Sequence, residues 1–128
     1  VINVAGHRLG TREIEECISA HPQVAEVAVV GVADALKGQA ALAFAVPRTA
    51  LEGEAERAAL QADVMKLVDA RLGAVARPSR VVFVSALPKT RSGKLLRRAM
   101  QAVAEGRDPG DLSTMEDPAA LAQVQQQL

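Results

Sequence analysis

The chain has 128 residues, of which 49% are hydrophobic, and its fifteen basic and fifteen acidic side chains give a formal net charge of zero. This length suits one domain with its own core, and a neutral chain has no overall field that would hold it on nucleic acid or on an anionic membrane. No apolar run reaches the roughly 20 residues that cross a bilayer, so we expect no membrane span.

Cys17 is the only cysteine of the chain. A lone cysteine excludes an internal disulfide and a metal-thiolate cluster, and it fits a protein of the reducing cytoplasm. The opening, VINVAGHRLG, has neither an initiator methionine nor the pattern of a signal peptide. We therefore expect a cytoplasmic fragment of a longer protein, in which Cys17 packs on a helix face.

The first part of the chain predicts a short extended segment, a helix and two strands. VINVAGHRLG indicates an extended segment that runs into a glycine-flanked loop, and TREIEECISAH has the apolar spacing of a helix with Thr11 as its N-cap. Residues 24–32 and 39–47 are apolar in the manner of buried strands. Because residues 34–38 can form a hairpin-like connection, we expect these two strands to pair antiparallel.

The second part predicts a long helix, a third strand and a final core helix. Residues 54–73 have helical apolar spacing and stop at Gly73, a natural helix end, with these core positions: Leu60, Val64, Leu67, Val68 and Leu72. Residues 77–87 predict the third strand, and a polar loop leads into a helix from about Gly93 to Glu105. The turn-rich tail, about 106–128, contains one helix from about Pro118 and is expected on the surface.

This order of elements predicts the α+β class. We expect a small central β-sheet of about three strands flanked by helices, with a short N-terminal β-segment. All 128 residues would form a single domain.

The stretch PKTRSGKLLRR, residues 88–98, places five cationic side chains at the predicted start of the final core helix: Lys89, Arg91, Lys94, Arg97 and Arg98. Cations in a first helical turn oppose the helix dipole, a cost that an anion would offset. Ser92 and Gly93 leave room for a phosphate, and Lys94 is the residue that this frame presents. The structural alternative is a solvated basic face, with Arg97, Arg98 and Gln101 near the solvent.

Other kinds of site find less support in the sequence. A P-loop is excluded because Pro88 takes the first glycine position and Leu95 follows the lysine. His7 and His21 have no cysteine or carboxylate at ligand spacing, so we expect no metal site. No Ser/His/Asp set stands out. The pair Gly6 and Gly10 brackets a loop carrying His7 and Arg8, a pattern that is more often a turn than a site.

Three stretches together carry a family resemblance: NVAGHRLGTREIEE, HPQVAEVAVVGVADALKGQ and LPKTRSGKLLRR. They resemble the C-terminal domain of AMP-forming acyl-CoA synthetases, in the branch of acetate-CoA and propionate-CoA ligases, over essentially the whole chain. The tail EGRDPGDLSTMEDPAAL and Ala5 favour the propionate-CoA ligases. The resemblance implies that the chain begins just after an interdomain hinge, that a large N-terminal domain is absent, and that the fragment alone is inactive.

The resemblance implies an ATP-dependent ligase that forms an acyl-adenylate from propionate or acetate and passes the acyl group to CoA. Lys94 matches the invariant adenylation lysine, with Lys89, Arg91, Ser92 and Gly93 as its supporting loop. Arg97 and Arg98 would be further loop support or surface residues. Mg²⁺ would be bound mainly by ATP and by the N-terminal domain, which would be this domain's partner.

In the second pose of such enzymes, the loop that matches AGHRLG faces the thioester-forming site. Gly6 would line the pantetheine tunnel, and His7 and Arg8 would lie at the nucleotide. Two departures bear on CoA binding: Ala5 stands where acetate-CoA ligases commonly have a serine, and Asp69 stands where an arginine is expected, which leaves Arg71 as a candidate. Glu15 falls in the acidic helix start, where a helix-dipole role is equally open.

The same resemblance implies regulation at Lys94. The matching lysine in this branch is a target of protein acetyltransferases and is restored by sirtuin-type deacylases, so acetylation of Lys94 would remove the charge that adenylation needs.

Two alternatives remain open on the sequence alone. One is another adenylate-forming enzyme, such as a peptide-synthetase module or a luciferase-like protein. The other is a nucleic-acid-binding module, which lacks aromatic partners for bases because Phe44 and Phe83 both fall inside predicted strands.

Overall fold

A computed structural model of the chain describes residues 2–4, 7–34, 36, 38–110 and 112–128. The α+β class and the small central sheet agree with the prediction from sequence. The elements in chain order are β1 (Ile2–Val4), β2 (His7–Leu9), α1 (Thr11–Ser19), β3 (Val24–Asp34), β4 (Gly38–Pro47), α2 (Glu54–Leu72), a 3-10 turn (Ala74–Ala76), β5 (Arg80–Phe83), α3 (Arg97–Ala104) and α4 (Pro118–Gln127).

Strand β4 is the centre of the sheet. Strand β3 pairs with it antiparallel along its whole length, as predicted, from Val24 opposite Pro47 to Asp34 opposite Gly38. Strand β5 pairs with its other edge in parallel, because α2 carries the chain across between the two strands. The β1–β2 hairpin joins the beginning of β4 through the pair of Val4 and Gly38. This places the hairpin at one end of the sheet.

Helices cover both faces of the three central strands. Alternate residues of β4 point to opposite sides, so Ala43 packs in the cluster that contains residues of α1 and α2, whereas Phe44 packs in the cluster of α3 and α4. This two-sided burial explains why β4 reads as an almost continuous apolar run. Phe44 and Phe83 are buried, as their strand positions predicted.

The two helices on the first face differ from prediction in detail. Thr11 is the first residue of α1 and Gly10 is the N-cap, with no side-chain cap hydrogen bond, so the predicted Thr11 cap is wrong. Leu72, predicted as core, is 36% exposed because it lies in the last turn of α2 before Gly73. Cys17 is buried as predicted; its thiol donates to the Leu67 carbonyl oxygen at 3.7 Å, and burial raises its pKa.

The prediction that the tail lies on the surface is wrong. Met115, Leu121 and Val124 are buried, because α4 folds back over the second face of the sheet. Asp117 caps this helix by accepting a hydrogen bond from the Ala119 amide at 3.0 Å. In the part of the chain that the structure describes, no helix is long and apolar enough to span a membrane.

Gly31 in β3 sets the position of the β1–β2 hairpin. A Cβ atom at this position would lie 2.2 Å from Cγ2 and 3.1 Å from Cβ of Ile2, a buried residue of β1. Neither atom is the far end of a flexible side chain, so β1 would have to shift. We expect Gly31→Ala to lower the free energy of unfolding by about 1–3 kcal/mol, as overpacking does.

Urea unfolding of three variants tests this close approach. The double variant Ile2→Ala/Gly31→Ala relieves the overlap, so its destabilisation should be smaller than the sum of the two single effects. Additive effects within about 0.5 kcal/mol would show that Ile2 and Gly31 act independently and would contradict the expectation.

Candidate functional site

Lys94 follows a tight hairpin loop that precedes α3. Gly93 donates its amide to the Thr90 carbonyl oxygen at 2.9 Å, and the Thr90 amide donates to the Lys94 carbonyl oxygen at 2.9 Å. Gly93 has a φ of 88°, the left-handed conformation that closes a three-residue hairpin loop. We call residues 88–96 the Lys94 hairpin, since Lys89 pairs antiparallel with Leu95 at its base.

The hairpin replaces the first turn of the predicted helix. Helix α3 begins at Arg97 with Leu96 as N-cap, so the predicted start at Gly93 is wrong. Gly93 has a left-handed conformation, and the residues before and after it, Lys89 and Leu95, pair with each other as in a strand. Both features are incompatible with a helix through these residues. The cations that oppose the dipole in the first turn of α3 are therefore Arg97 and Arg98, whereas Lys94 lies in a loop.

The residues around Lys94 hold the loop in place through backbone hydrogen bonds and side-chain contacts. The hydroxyl of Thr90 lies 2.9 Å from that of Ser92 and accepts the Lys94 amide at 3.1 Å. Lys89 forms an ion pair with Glu26 of β3. Arg91 is exposed and donates its amide to the Thr114 carbonyl oxygen at 3.2 Å. Lys94 is exposed, so its ammonium is available to a group that arrives from outside the domain.

The polar face of α3 lies along the outer edge of β3, which corrects the predicted solvent position of Arg97 and Gln101. Its residues Arg97, Gln101 and Glu105 are spaced four apart, so they lie on the same side of the helix. Gln101 donates its side-chain amide to the Gly31 carbonyl oxygen at 2.7 Å, and Glu105 accepts the Ala33 amide at 2.7 Å. These contacts occupy backbone groups that an edge strand otherwise leaves unpaired.

Glu15 of α1 also contacts the outer edge of β3. Its carboxylate accepts the Val29 amide at 2.7 Å and forms a two-pronged ion pair with the Arg97 guanidinium, whose Nη2 lies 3.0 Å from Oε1. Glu15 therefore ties α1, β3 and α3 together. Its role is broader than the helix-dipole role left open by the sequence. At the far end of this edge, a hydrogen bond from the Arg107 side chain lowers the pKa of Glu105, and the hydrogen bond from the Ala33 amide adds to this.

The second predicted group of site residues lies at the other end of the sheet. Arg8 is exposed on β2, whose hairpin joins β4 at Gly38. Lys89 at the base of the Lys94 hairpin contacts Glu26, which is paired with Val46 near the end of β4. Gly38 and Val46 are eight residue steps apart along β4, a distance of about 26 Å. The structure therefore does not bring the two groups together.

The remaining predicted site residues are placed as follows. Gly6 lies outside the described residues, as does Ala5, and His7 is described only by its place in β2. Arg71 is exposed in the last turn of α2, close enough to Cys17 to oppose the rise in the thiol pKa. No group of three His, Cys, Asp or Glu residues within the described ranges can hold a metal ion.

An open cleft of about 910 Å³ adjoins the Lys94 hairpin. It is bounded by the hairpin, the first turn of α3 and the tail, with Lys94, Arg98, Pro109 and Leu112 among its lining residues. Three cationic residues line this cleft: Lys94, Arg98 and Arg97, of which Arg97 is paired with Glu15. Their charge suits an anion or an acidic partner surface.

Comparison with known proteins identifies the family. The family described as AMP-binding enzyme C-terminal domain matches residues 13–94, from α1 to Lys94. The chain belongs to this family. Helix α3 and the tail follow the matched region, so the family match does not include the segment that packs against the Lys94 hairpin.

The relatives of this AMP-binding enzyme C-terminal domain are ligases. A propionate–CoA ligase from Escherichia coli is 62% identical over 128 residues, covering 98% of this chain and 20% of the relative. An acetyl-coenzyme A synthetase from Pyrobaculum aerophilum is 46% identical over 124 residues, covering 97% of this chain and 18% of the relative. The chain thus spans about a fifth of the length of these relatives.

A solved structure supports the same assignment. The acyl-CoA synthetase from Brucella canis superimposes with a TM-score of 0.67 at 38% identity, covering 74% of this chain and 17% of that chain. The fold expected from the motifs is therefore the fold of this family.

Proposed function

We propose that this chain is the C-terminal domain of a longer AMP-forming acid–thiol ligase that converts propionate, ATP and CoA to propionyl-CoA, AMP and pyrophosphate. The observation that carries the proposal is the exposed Lys94 on a braced hairpin at the end of the family match. The relatives named propionate–CoA ligase favour propionate, and acetate is the alternative carboxylate. As expected from its single cysteine, the enzyme would work in the cytoplasm.

Lys94 would serve the adenylation step. Its ammonium would lie between the substrate carboxylate and the α-phosphate of ATP, where it reduces their repulsion and offsets the charge that grows at phosphorus. A lysine on a long stem suits a group that a moving domain carries to the nucleotide. The cationic residues that line the adjoining cleft favour the same face for this pose.

Gly6, His7 and Arg8 would serve the thioester-forming step in a second pose, with Arg71 as a further candidate for CoA phosphates. The position of Arg8 near the Gly38 end of β4, about 26 Å along the strand from Val46, supports this division. Presenting each end in turn requires the domain to rotate against its N-terminal partner. ATP and that partner would carry Mg²⁺, since the residues described here offer no cluster of metal ligands.

A nucleic-acid-binding role finds no support in the placement of the aromatic side chains. Phe44 and Phe83 are buried between the sheet and its helices, so neither can stack on a base.

The proposal is tested with the full-length protein by carboxylate-dependent exchange of pyrophosphate into ATP. We expect exchange with propionate, and weaker exchange with acetate if propionate is the preferred substrate. Residues 1–128 alone should give none, because the acyl and adenylate pocket would belong to the N-terminal domain. Absence of exchange with every short carboxylate would contradict the proposed function.

Acetylation of Lys94 would switch this activity off. The ammonium is exposed and therefore accessible to a protein acetyltransferase and a sirtuin-type deacylase, and acetylation removes its charge. We expect the full-length enzyme acetylated at Lys94 to lose adenylate formation and to regain it after deacetylation. An acetylated enzyme with unchanged pyrophosphate exchange would refute this switch.

A further inference from the structure

The Lys94 hairpin has a third strand, supplied by the tail. Thr90 pairs antiparallel with Met115, and two hydrogen bonds flank this pair. The Arg91 amide donates to the Thr114 carbonyl oxygen at 3.2 Å, and the Glu116 amide donates to the Lys89 carbonyl oxygen at 2.9 Å. We call residues 114–116 the tail strand; it follows a turn in which the Met115 amide donates to the Leu112 carbonyl oxygen at 3.1 Å.

We propose that the tail strand is a positioning element for the adenylation lysine, an inference that rests on the proposed function of Lys94. A two-stranded hairpin is only marginally stable in water, and a third strand is what gives such a unit a defined shape. The hairpin itself is short, with one antiparallel pair at its base, Lys89 and Leu95. The tail strand bonds to the residue on each side of Thr90, so it holds the arm that leads into the loop.

The tail strand can do this because its own position is determined by the core. Met115 is buried in a cluster with Ala99 of α3 and Leu121 of α4. Immediately after the strand, Asp117 caps α4, and Val124 of that helix is completely buried against the second face of the sheet. The hairpin is therefore connected to the core through α4 as well as through α3.

The position of an adenylation lysine relative to the reacting groups affects the rate of the step. Displacing a reacting or charge-stabilising group by about 1 Å can lower a rate about 100-fold. The long, exposed side chain of Lys94 gets its direction from the hairpin backbone. The family match ends at Lys94, so the tail strand lies outside the matched region.

A single substitution in the full-length protein tests the inference. Glu116→Pro removes the amide that donates to Lys89, and proline favours an extended conformation for the preceding Met115. The matched control is Glu116→Ala, which changes the same exposed side chain and keeps the amide. Both half-reactions are measured: pyrophosphate exchange with propionate, and thioester formation from supplied propionyl-adenylate and CoA.

We expect Glu116→Pro to lower kcat of pyrophosphate exchange by about 10–100-fold and to leave thioester formation within about twofold, with Glu116→Ala near wild type in both. Amide hydrogen exchange should show faster exchange at Arg91 in the proline variant only. An equal fall in both half-reactions, or no fall in pyrophosphate exchange, would overturn the inference.

A second variant covers the case in which Glu116→Pro does not fold. Met115→Ala keeps every backbone hydrogen bond but loosens the burial of the tail strand, and it should lower pyrophosphate exchange more than thioester formation. Equal effects on the two steps would again overturn the inference. Lys94→Ala separates the two proposals: if it leaves exchange intact, the proposed function fails; if it abolishes exchange while both tail variants do not, only the role of the tail strand fails.

Discussion

Replacing Lys94 by alanine in the full-length protein is expected to lower the rate of acyl-adenylate formation by about 100-fold or more. The reason is electrostatic: the ammonium offsets charge that develops in the transition state, and water cannot replace a donor that the protein has already oriented. Lys94→Arg keeps the charge but offers a planar group of different reach, so we expect it to restore little of the rate.

The measurement separates the two half-reactions of this variant. Pyrophosphate exchange should collapse, whereas thioester formation from supplied acyl-adenylate should continue, because the opposite end of the sheet would serve that step. The matched control is Lys66→Ala, which removes an exposed lysine of α2. If both half-reactions of Lys94→Ala survive, the hairpin is a solvated basic surface and its assignment is wrong.

Replacing Glu15 by alanine is expected to lower the free energy of unfolding by about 2 kcal/mol. The substitution leaves the Val29 amide without its acceptor and the Arg97 guanidinium without its partner, and each loss carries a cost. The side chain of Glu15 is 13% exposed but that of Arg97 is 42% exposed. Water can therefore solvate the freed arginine, which keeps the effect below that of a fully buried pair.

Urea unfolding of the domain checks this value. Glu16→Ala is the matched control, since it removes an exposed glutamate one residue further along α1 and should change stability by less than about 0.5 kcal/mol. Glu15→Gln should lie between the two, because its amide oxygen can still accept from Val29. Equal stability of Glu15→Ala and Glu16→Ala would show that the edge contact contributes nothing.

Most of the elements could be predicted because their signals are local. The apolar spacing of α2 and the β-branched run of β3 each reflect one repeated demand, a buried face at a helical or strand period. The antiparallel pairing of β3 and β4 followed from the short connection between them. Lys94 was singled out in the same way, since its motif is a continuous stretch of sequence.

The errors fall where distant segments meet. The sequence predicts a helix that begins at about Gly93, because the charged, leucine-containing stretch after it has good helix formers. Only the pairing of Lys89 with Leu95 turns the start of this stretch into a hairpin. The sequence predicts a solvent position for Arg97 and Gln101, since it does not reveal that an edge strand with unpaired backbone groups lies beside them. The sequence predicts a tail on the surface, because its few apolar residues are separated by turns.

The sequence by itself determined the α+β class, the long α2, the strands of the central sheet and the motif that carries Lys94. These depend on periodicity and on short stretches, which are properties of the chain in order. Only the tertiary structure decided that Glu15 and Arg97 meet at the edge of β3, that the tail strand braces the Lys94 hairpin, and that Arg8 lies at the opposite end of the sheet. Such contacts join residues far apart in the chain, and their partners are selected by packing and by the need to pair backbone amides at an edge.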